Sequence, residues 1–268
     1  MDKSTVPGLV VAFAACIASV ILEGGSPAAL LNLPAAVLVF GGTIGTALIS
    51  FPFSIVMGLP KYMMVAILDK PLDPHGIIET FCRLADKARR EGLLALEQEA
   101  ADLTPFPKKG ILMIVDGNDP SVVREVLEIE NEGMERRHKS GSALLEAMGG
   151  FSPTLGIIGT VMGLVNVLSK LDDPSSLGHS IAVAFIATLY GVGAANLLWL
   201  PIANKLKAKS AQELWLRELT VEAVMGVQAG DNPRHLREKL EAQLPPVERG
   251  KPEAAAAAPS AQPAPVGG

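Results

Sequence analysis

The sequence predicts an all-α integral membrane protein: four transmembrane helices, a helical cytoplasmic lobe between spans 2 and 3, and a long helix continuing into span 3. Three observations carry this. Of 268 residues, 49% are hydrophobic and only 19% charged, and a mean hydropathy of +0.34 is too high for an ordinary soluble domain. Stretches 6–22, 32–59, 148–168 and 181–202 hold no Asp, Glu, Lys, Arg or His, and each is near or above the roughly 20 residues that cross a bilayer as helix. The charges lie instead in the middle of the chain and after the last stretch.

The first stretch has Pro7 near its start, a first-turn position for a helix. Its leader, 1–5, carries one acid and one base rather than a basic cluster, so an uncleaved span is favoured over a signal peptide. After an uncharged link at 24–31, the second stretch carries Gly41, Gly42 and Gly45 for close helix contact and Pro52 as a kink or end. Spans joined by short links leave the middle on the same side as both termini. Lys61, Lys70, Arg136, Arg137, Lys139, Lys205, Lys207 and Lys209 flank the spans on that side, against Lys170 on the other, which makes it cytoplasmic.

In the middle, Ile77, Ile78, Phe81, Leu84, Ala85 and Ala88 recur at helical spacing, then Leu93, Leu94 and Leu96 after a break at Gly92, predicting two short helices. Thr104-Pro-Phe-Pro reads as a turn, followed by a further helix pair. Asp119-Pro120 suits the cap and first turn of a long, charged helix running on into span 3. After span 4, 205–228 reads as an amphipathic helix, and Asn232-Pro233 as the start of a short one reaching Leu244. The Pro/Ala-rich tail has too few large apolar side chains to offset ordering entropy and is expected to be disordered. The expected division is thus spans 1 and 2 at 1–59, the cytoplasmic helical domain at 60–146, spans 3 and 4 at 147–204, C-terminal helices at 205–244 and the tail at 245–268.

The net charge of −5 is mild and says little about partners, and no basic patch with interleaved aromatics points to nucleic acid. Cys16 and Cys82 have no close mates, and His75, His138, His179 and His235 lack metal spacing, so neither a disulfide framework nor a metal centre is expected. The glycines of GGTIGT and GTVMG precede no Gly-Lys-Ser/Thr and read as helix packing rather than a phosphate loop. No enzyme constellation and no cofactor is expected.

Other positions carry sharper alternatives. Pro153 and Pro201 lie near the same membrane face, either as plain helix ends or as paired kinks near an ion exit. Thr160 and Thr188 sit mid-span on antiparallel arms; each hydroxyl either bonds its own helix carbonyl or helps line a wet path or coordinate a cation. The string ADKARREGLLALEQEA, with Arg89, Arg90, Glu91, Glu97 and Glu99, is either a solvated face or a docking patch. With no Asp, Glu, Lys, Arg or His inside spans 3 and 4, any ion moving there needs a titrating acid from another chain.

RREGLLALE at 89–97, KKGILMIVDGNDPSVV at 108–123, SPTLGIIGTVMGLVNVLSKLDDP at 152–174, ATLYG at 187–191 and LPIANKLK at 200–207 together resemble the bacterial flagellar motor stator subunits of the MotA/PomA family, within the wider MotA/TolQ/ExbB proton channel group. The resemblance runs from about Pro7 through Leu244. It implies an inner-membrane subunit with cytoplasmic termini, forming a pentamer around two copies of a single-span MotB/PomB-type partner whose aspartate binds the ion. Passage of H+ or Na+ would turn the ring and push the rotor protein FliG. It further implies rotor-facing roles for Arg89, Arg90 and Glu97, and ion-path or conformational roles for Pro153, Thr160, Thr188 and Pro201. Gln98 and Asn32 stand where sodium-type relatives have acids, which leaves the ion open with a lean to H+. An ExbB/TolQ-like energiser of envelope transport or integrity is the alternative role, and a scaffold without ion flux is a third.

Overall fold

The computed structural model describes residues 5–68, 72–169 and 174–249, with the backbone alone at 174–176 and 179. The expectations for Lys70, Lys170, the link at 171–173, the His179 side chain and the tail from 250 onward lie outside the described residues. The described chain is helical throughout its regular structure: α1 Thr5–Leu22, α2 Leu33–Ser50, α3 Phe53–Val56, α4 Leu59–Ile67, α5 Pro74–Glu91, α6 Leu96–Ala100, α7 Pro105–Val115, α8 Pro120–Leu168, α9 over 174–228 and α10 Pro233–Glu241. Four of these, α1, α2, α8 and α9, contain stretches long and apolar enough to cross a membrane.

Helix starts follow local chemistry. Asp73 accepts from the Gly76 N–H at 2.8 Å ahead of Pro74, Asp119 accepts from the Ser121 N–H at 2.9 Å ahead of Pro120, and Asn232 accepts from the Arg234 N–H at 2.9 Å ahead of Pro233. Each cap satisfies an N–H that has no helical partner, while the proline occupies a position that needs none. Gly92, at φ +88°, breaks α5 from α6 in a conformation that only glycine adopts freely.

The second stretch breaks at Pro52, as its reading as a kink or end expects: α2 ends at Ser50, Phe51 is extended and Pro52 caps the short α3, because proline restricts the residue before it to extended backbone. Several other boundaries differ from the sequence reading. Thr104-Pro-Phe-Pro is not a turn, since Pro105 and Pro107 lie in the first turn of α7, where a missing N–H costs nothing. One helix, not a pair, fills the stretch before Asp119. Span 4 and the amphipathic helix expected after it are one continuous helix from 174 to 228. The last helix ends at Glu241, although Leu244 beyond it is buried.

The described residues divide into two compact units, one drawn from 5–72 and 131–214 and the other from 73–130 and 215–249. In the first, Val39, Leu144, Leu145, Met148, Trp199 and Ile202 form the main core. Helix α1 buries no residue, and Val10, Val11, Ile49, Phe53, Ile157, Val161, Met162, Val165 and Phe185 are exposed, as befits surfaces facing lipid or neighbouring spans. The second unit is built like a soluble domain around Ile78, Phe81, Leu84, Ile111, Leu127 and Leu219. Its polar rim is tied by Glu222, which bonds Arg124 at 2.8 Å and Lys239 at 2.9 Å.

Candidate functional site

Helices α8 and α9 approach backbone to backbone along a seam of small residues. A Cβ built on Gly156 would lie 2.8 Å from the Ala187 carbonyl oxygen and 3.1 Å from the Thr188 Cα. One on Gly191 would lie 2.5 Å from the Ser152 oxygen and 3.0 Å from the Gly156 Cα, and one on Gly163 2.6 Å from the Ala184 Cβ. Only glycine admits this approach.

The seam brings Thr160 and Thr188 into direct contact, hydroxyl to hydroxyl. Thr160 Oγ1 also lies 3.1 Å from the Gly156 carbonyl oxygen and 3.1 Å from that of Ala184, and Thr188 Oγ1 lies 3.4 Å from Gly156 O. Thr160 reaches its own helix carbonyl four residues back and also a carbonyl of the facing helix. A hydroxyl carries one proton, so Thr160 cannot donate to all three neighbouring oxygens together. The cluster gathers two hydroxyl and two carbonyl oxygens in an otherwise apolar seam, a donor set suited to water or a hard cation.

A second polar knot was not foreseen. Ser152 Oγ donates to Met148 O at 2.9 Å, accepts from Trp199 Nε1 at 2.9 Å and lies 3.1 Å from Thr43 Oγ1, joining α8, α9 and α2 through fully or nearly fully buried groups. The available signal was a tryptophan in a span, whose indole N–H needs a partner when buried. The knot sits beside both prolines. Pro153 lies inside α8 and leaves the Gly149 carbonyl without its usual helical donor. Pro201 follows a π-helical stretch, Ala194–Trp199, in which the Leu200 N–H reaches back to Ala195 O. Neither proline ends its helix. A second π-helical stretch, Val37–Gly41, carries Phe40, whose ring meets Trp199 edge-on at 6.5 Å. Wide turns of this kind give a helix local freedom to bend.

Beside Gly191, Tyr190 Oη donates to Leu30 O at 2.7 Å and accepts from the Asn32 N–H at 3.2 Å. Asn32 itself caps α2 by accepting from the Ala35 N–H at 2.9 Å. The Asn32 side chain is therefore committed to helix capping.

The charged string separates into two sets. Lys87 and Glu99 form a 2.8 Å ion pair linking α5 to the end of α6; their hydrogen bond raises the Lys87 ammonium above, and holds the Glu99 carboxyl below, the usual ranges. Arg89, Arg90 and Glu97 are exposed. Arg90 meets Asp86 at 3.0 Å on its own helix, and Arg89 and Glu97 have no ion partner among the described residues. The described residues hold no cluster of three or more metal-ligating side chains, and His138 Nδ1 pairs with Ser210 Oγ at 3.1 Å.

The model of the MotA/TolQ/ExbB proton channel family matches residues 98–219. Motility protein A of Bacillus subtilis is 40% identical over 251 residues, covering 93% of each chain. This chain belongs to the MotA/TolQ/ExbB proton channel family. Chemotaxis protein PomA of Vibrio alginolyticus is a further relative, 38% identical over 234 residues that cover 87% of this chain and 92% of PomA. Among solved structures, the flagellar MotAB stator complex of Bacillus subtilis contains a chain of TM-score 0.87 and 40% identity, with 92% of this chain and 98% of that one covered. The MotAB structure from C. jejuni matches at TM-score 0.87 and 32% identity, covering 91% and 96%. As a member of this proton channel family with four apolar spans, the protein is a multi-pass membrane protein. The family segment, 98–219, contains the threonine seam and both prolines but not Arg89, Arg90 or Glu97, whereas the motility relatives match over nearly the whole chain.

Proposed function

We propose that this protein is the ring-forming stator subunit of a bacterial flagellar motor, an inner-membrane ion channel that converts ion flow into torque. The observation that carries the reading is the α8–α9 seam: an oxygen cluster of Thr160, Thr188, Gly156 and Ala184, in spans that hold no Asp, Glu, Lys, Arg or His, within a chain similar over about nine-tenths of its length to those of MotAB stators. A wet path lined by neutral oxygens conducts, but it does not couple flow to motion unless a titrating group alternates its charge. That group is assigned to a single-span partner of the MotB/PomB type, enclosed by a homo-oligomer of this chain, a pentamer in a 5:2 complex. The translocated ion, H+ or Na+, is the only small species involved.

In this reading both termini and the 73–130 segment are cytoplasmic, and the exposed Arg89, Arg90 and Glu97 engage FliG. One elementary charge falling through ~100 mV releases about 2.3 kcal/mol, which reaches the rotor only if the moving parts are stiff. An unbroken α8 of 49 residues suits that task, with Pro153 and Pro201 as the places where it and α9 bend.

The test is swimming of a non-motile host complemented with this chain and its partner, in sodium-free and sodium-rich media, each with and without a proton uncoupler. Motility that collapses with the uncoupler alone assigns H+, and motility that needs sodium assigns Na+. No rescue under any condition, with restored envelope transport instead, favours the ExbB/TolQ-like role. Ion flux through the purified chain alone in proteoliposomes would overturn the division of labour with the partner.

A further inference from the structure

Just past the end of α2, Phe51 and Ile55 lie across an open groove of about 250 Å³ from Arg136, Lys139, Ser140 and Ala143 of α8. Positions 136, 139, 140 and 143 repeat at i, i+3, i+4 and i+7, so they form one stripe along the helix. The stripe is graded in polarity. Ala143, nearest the apolar part of α8, faces the same groove as Phe51 and Ile55; next come the Ser140 hydroxyl, the Lys139 ammonium and the Arg136 guanidinium. At 1.5 Å per residue the stripe spans about 10 Å, enough to cross a headgroup layer roughly 5–8 Å deep.

Arg136 and Lys139 are both exposed, and among the described residues neither has an acid within ion-pair distance, whereas Lys207 of the same unit pairs with Glu146. Ser140 Oγ donates to its own Arg136 carbonyl at 3.0 Å, so the two cations hold the unused donors. Two unpaired cations beyond an apolar wall, at the edge of a membrane span, complement a molecule with a phosphate at one end and hydrocarbon at the other. We propose that this groove binds an anionic phospholipid, with its phosphate between Arg136 and Lys139 and its glycerol and upper acyl chain against Ala143, Phe51 and Ile55. The bound lipid fills the step where α2 breaks at Pro52 and links it to the base of the span in α8. The site depends on the membrane placement of α2 and α8 and not on torque generation.

The test is native mass spectrometry of the full-length complex in mild detergent, titrated with phosphatidylglycerol or with phosphatidylcholine. The unmodified protein retains phosphatidylglycerol selectively. R136Q/K139Q weakens that binding about 25-fold, at about fivefold for each cation near a lipid surface, and leaves phosphatidylcholine retention unchanged. R136K/K139R keeps both charges and retains the selectivity, and Lys61→Gln, an exposed cation elsewhere in the unit, has no effect. Size exclusion and thermal unfolding establish that each variant is folded, and the single substitutions serve should the double one fail. Equal retention of both lipids, or selectivity untouched by R136Q/K139Q, overturns the proposal. Inorganic phosphate binding as tightly as phosphatidylglycerol overturns the lipid assignment in favour of a soluble anion. A photocross-linker at position 140 that captures polypeptide and no lipid in membranes overturns it in favour of a protein occupant.

Discussion

Gly191→Ala adds a single methyl group where α8 and α9 touch, and its effect follows from the geometry. The new Cβ would stand 2.5 Å from the Ser152 carbonyl oxygen and 3.0 Å from the Gly156 Cα, both main-chain atoms that cannot swing aside. Relief requires the helices to part by roughly 1 Å, and overpacking of this kind costs about 1–3 kcal/mol. One turn away, Thr160 Oγ1 lies 3.1 Å from Ala184 O, and the same displacement carries it past hydrogen-bonding distance. An equilibrium between open and closed seams would shift by about 5- to 150-fold. The expected outcome is a folded complex with a lowered Tm in detergent and greatly reduced swimming in a complemented host. Gly193→Ala is the internal control, since a Cβ there meets nothing within 4 Å. If Gly191→Ala swims and melts as Gly193→Ala does, the close approach is not what positions the threonines.

Three further outcomes are expected. Pro153→Ala and Pro201→Ala restore an N–H to each helix and stiffen it next to the Ser152–Trp199–Thr43 knot, so the complex should assemble normally and swim slowly; wild-type speed would count against bending at these prolines. Charge reversal at the exposed Arg89 or Glu97 should reduce motility without changing Tm, because neither has an ion partner among the described residues, and reversal of rotor charges should restore part of it; absence of any allele-specific rescue would reduce the pair to solvated surface. Glu222 supplies a pH dependence. Burial by itself would raise its carboxyl, but hydrogen bonds from Lys239 and Arg124 and their charges outweigh this and hold it below the usual carboxylate range. A depressed folded-state value means stability that is present above the unfolded-state value and is lost as pH falls through the folded one. Thermal stability of the full-length protein should therefore fall as pH drops below about 4.3, and Glu222→Gln should cost about 1–2 kcal/mol at neutral pH while flattening the acid limb. An unchanged acid limb in the variant would remove Glu222 from that role.

Local chemistry was enough to read the helical class, the apolar stretches, the caps at Asp119 and Asn232 and the break at Gly92. Each depends on residues a few positions apart: a hydrophobic run long enough for a bilayer, a side-chain oxygen one turn ahead of a free N–H, a glycine at positive φ. The same local rules misjudged Thr104-Pro-Phe-Pro, because proline signals a turn and a helix start equally well. They also cut span 4 from the helix after it, since a change from apolar to charged composition alters what a helix faces without ending it.

Which oxygens meet was beyond that reach. The chain order shows Thr160 and Thr188 at comparable depth on two arms, but their contact depends on Gly156, Gly163 and Gly191 falling on the facing sides of both helices, a matter of rotation about each axis. The Ser152–Trp199–Thr43 knot joins residues 109 and 47 positions apart, and the groove at Arg136 brings Phe51 and Ile55, just past the end of α2, to that face of α8. Hydropathy and capping are properties of a segment and survive in a string of letters; register between segments is set by packing, where one missing methyl group decides how closely two backbones lie.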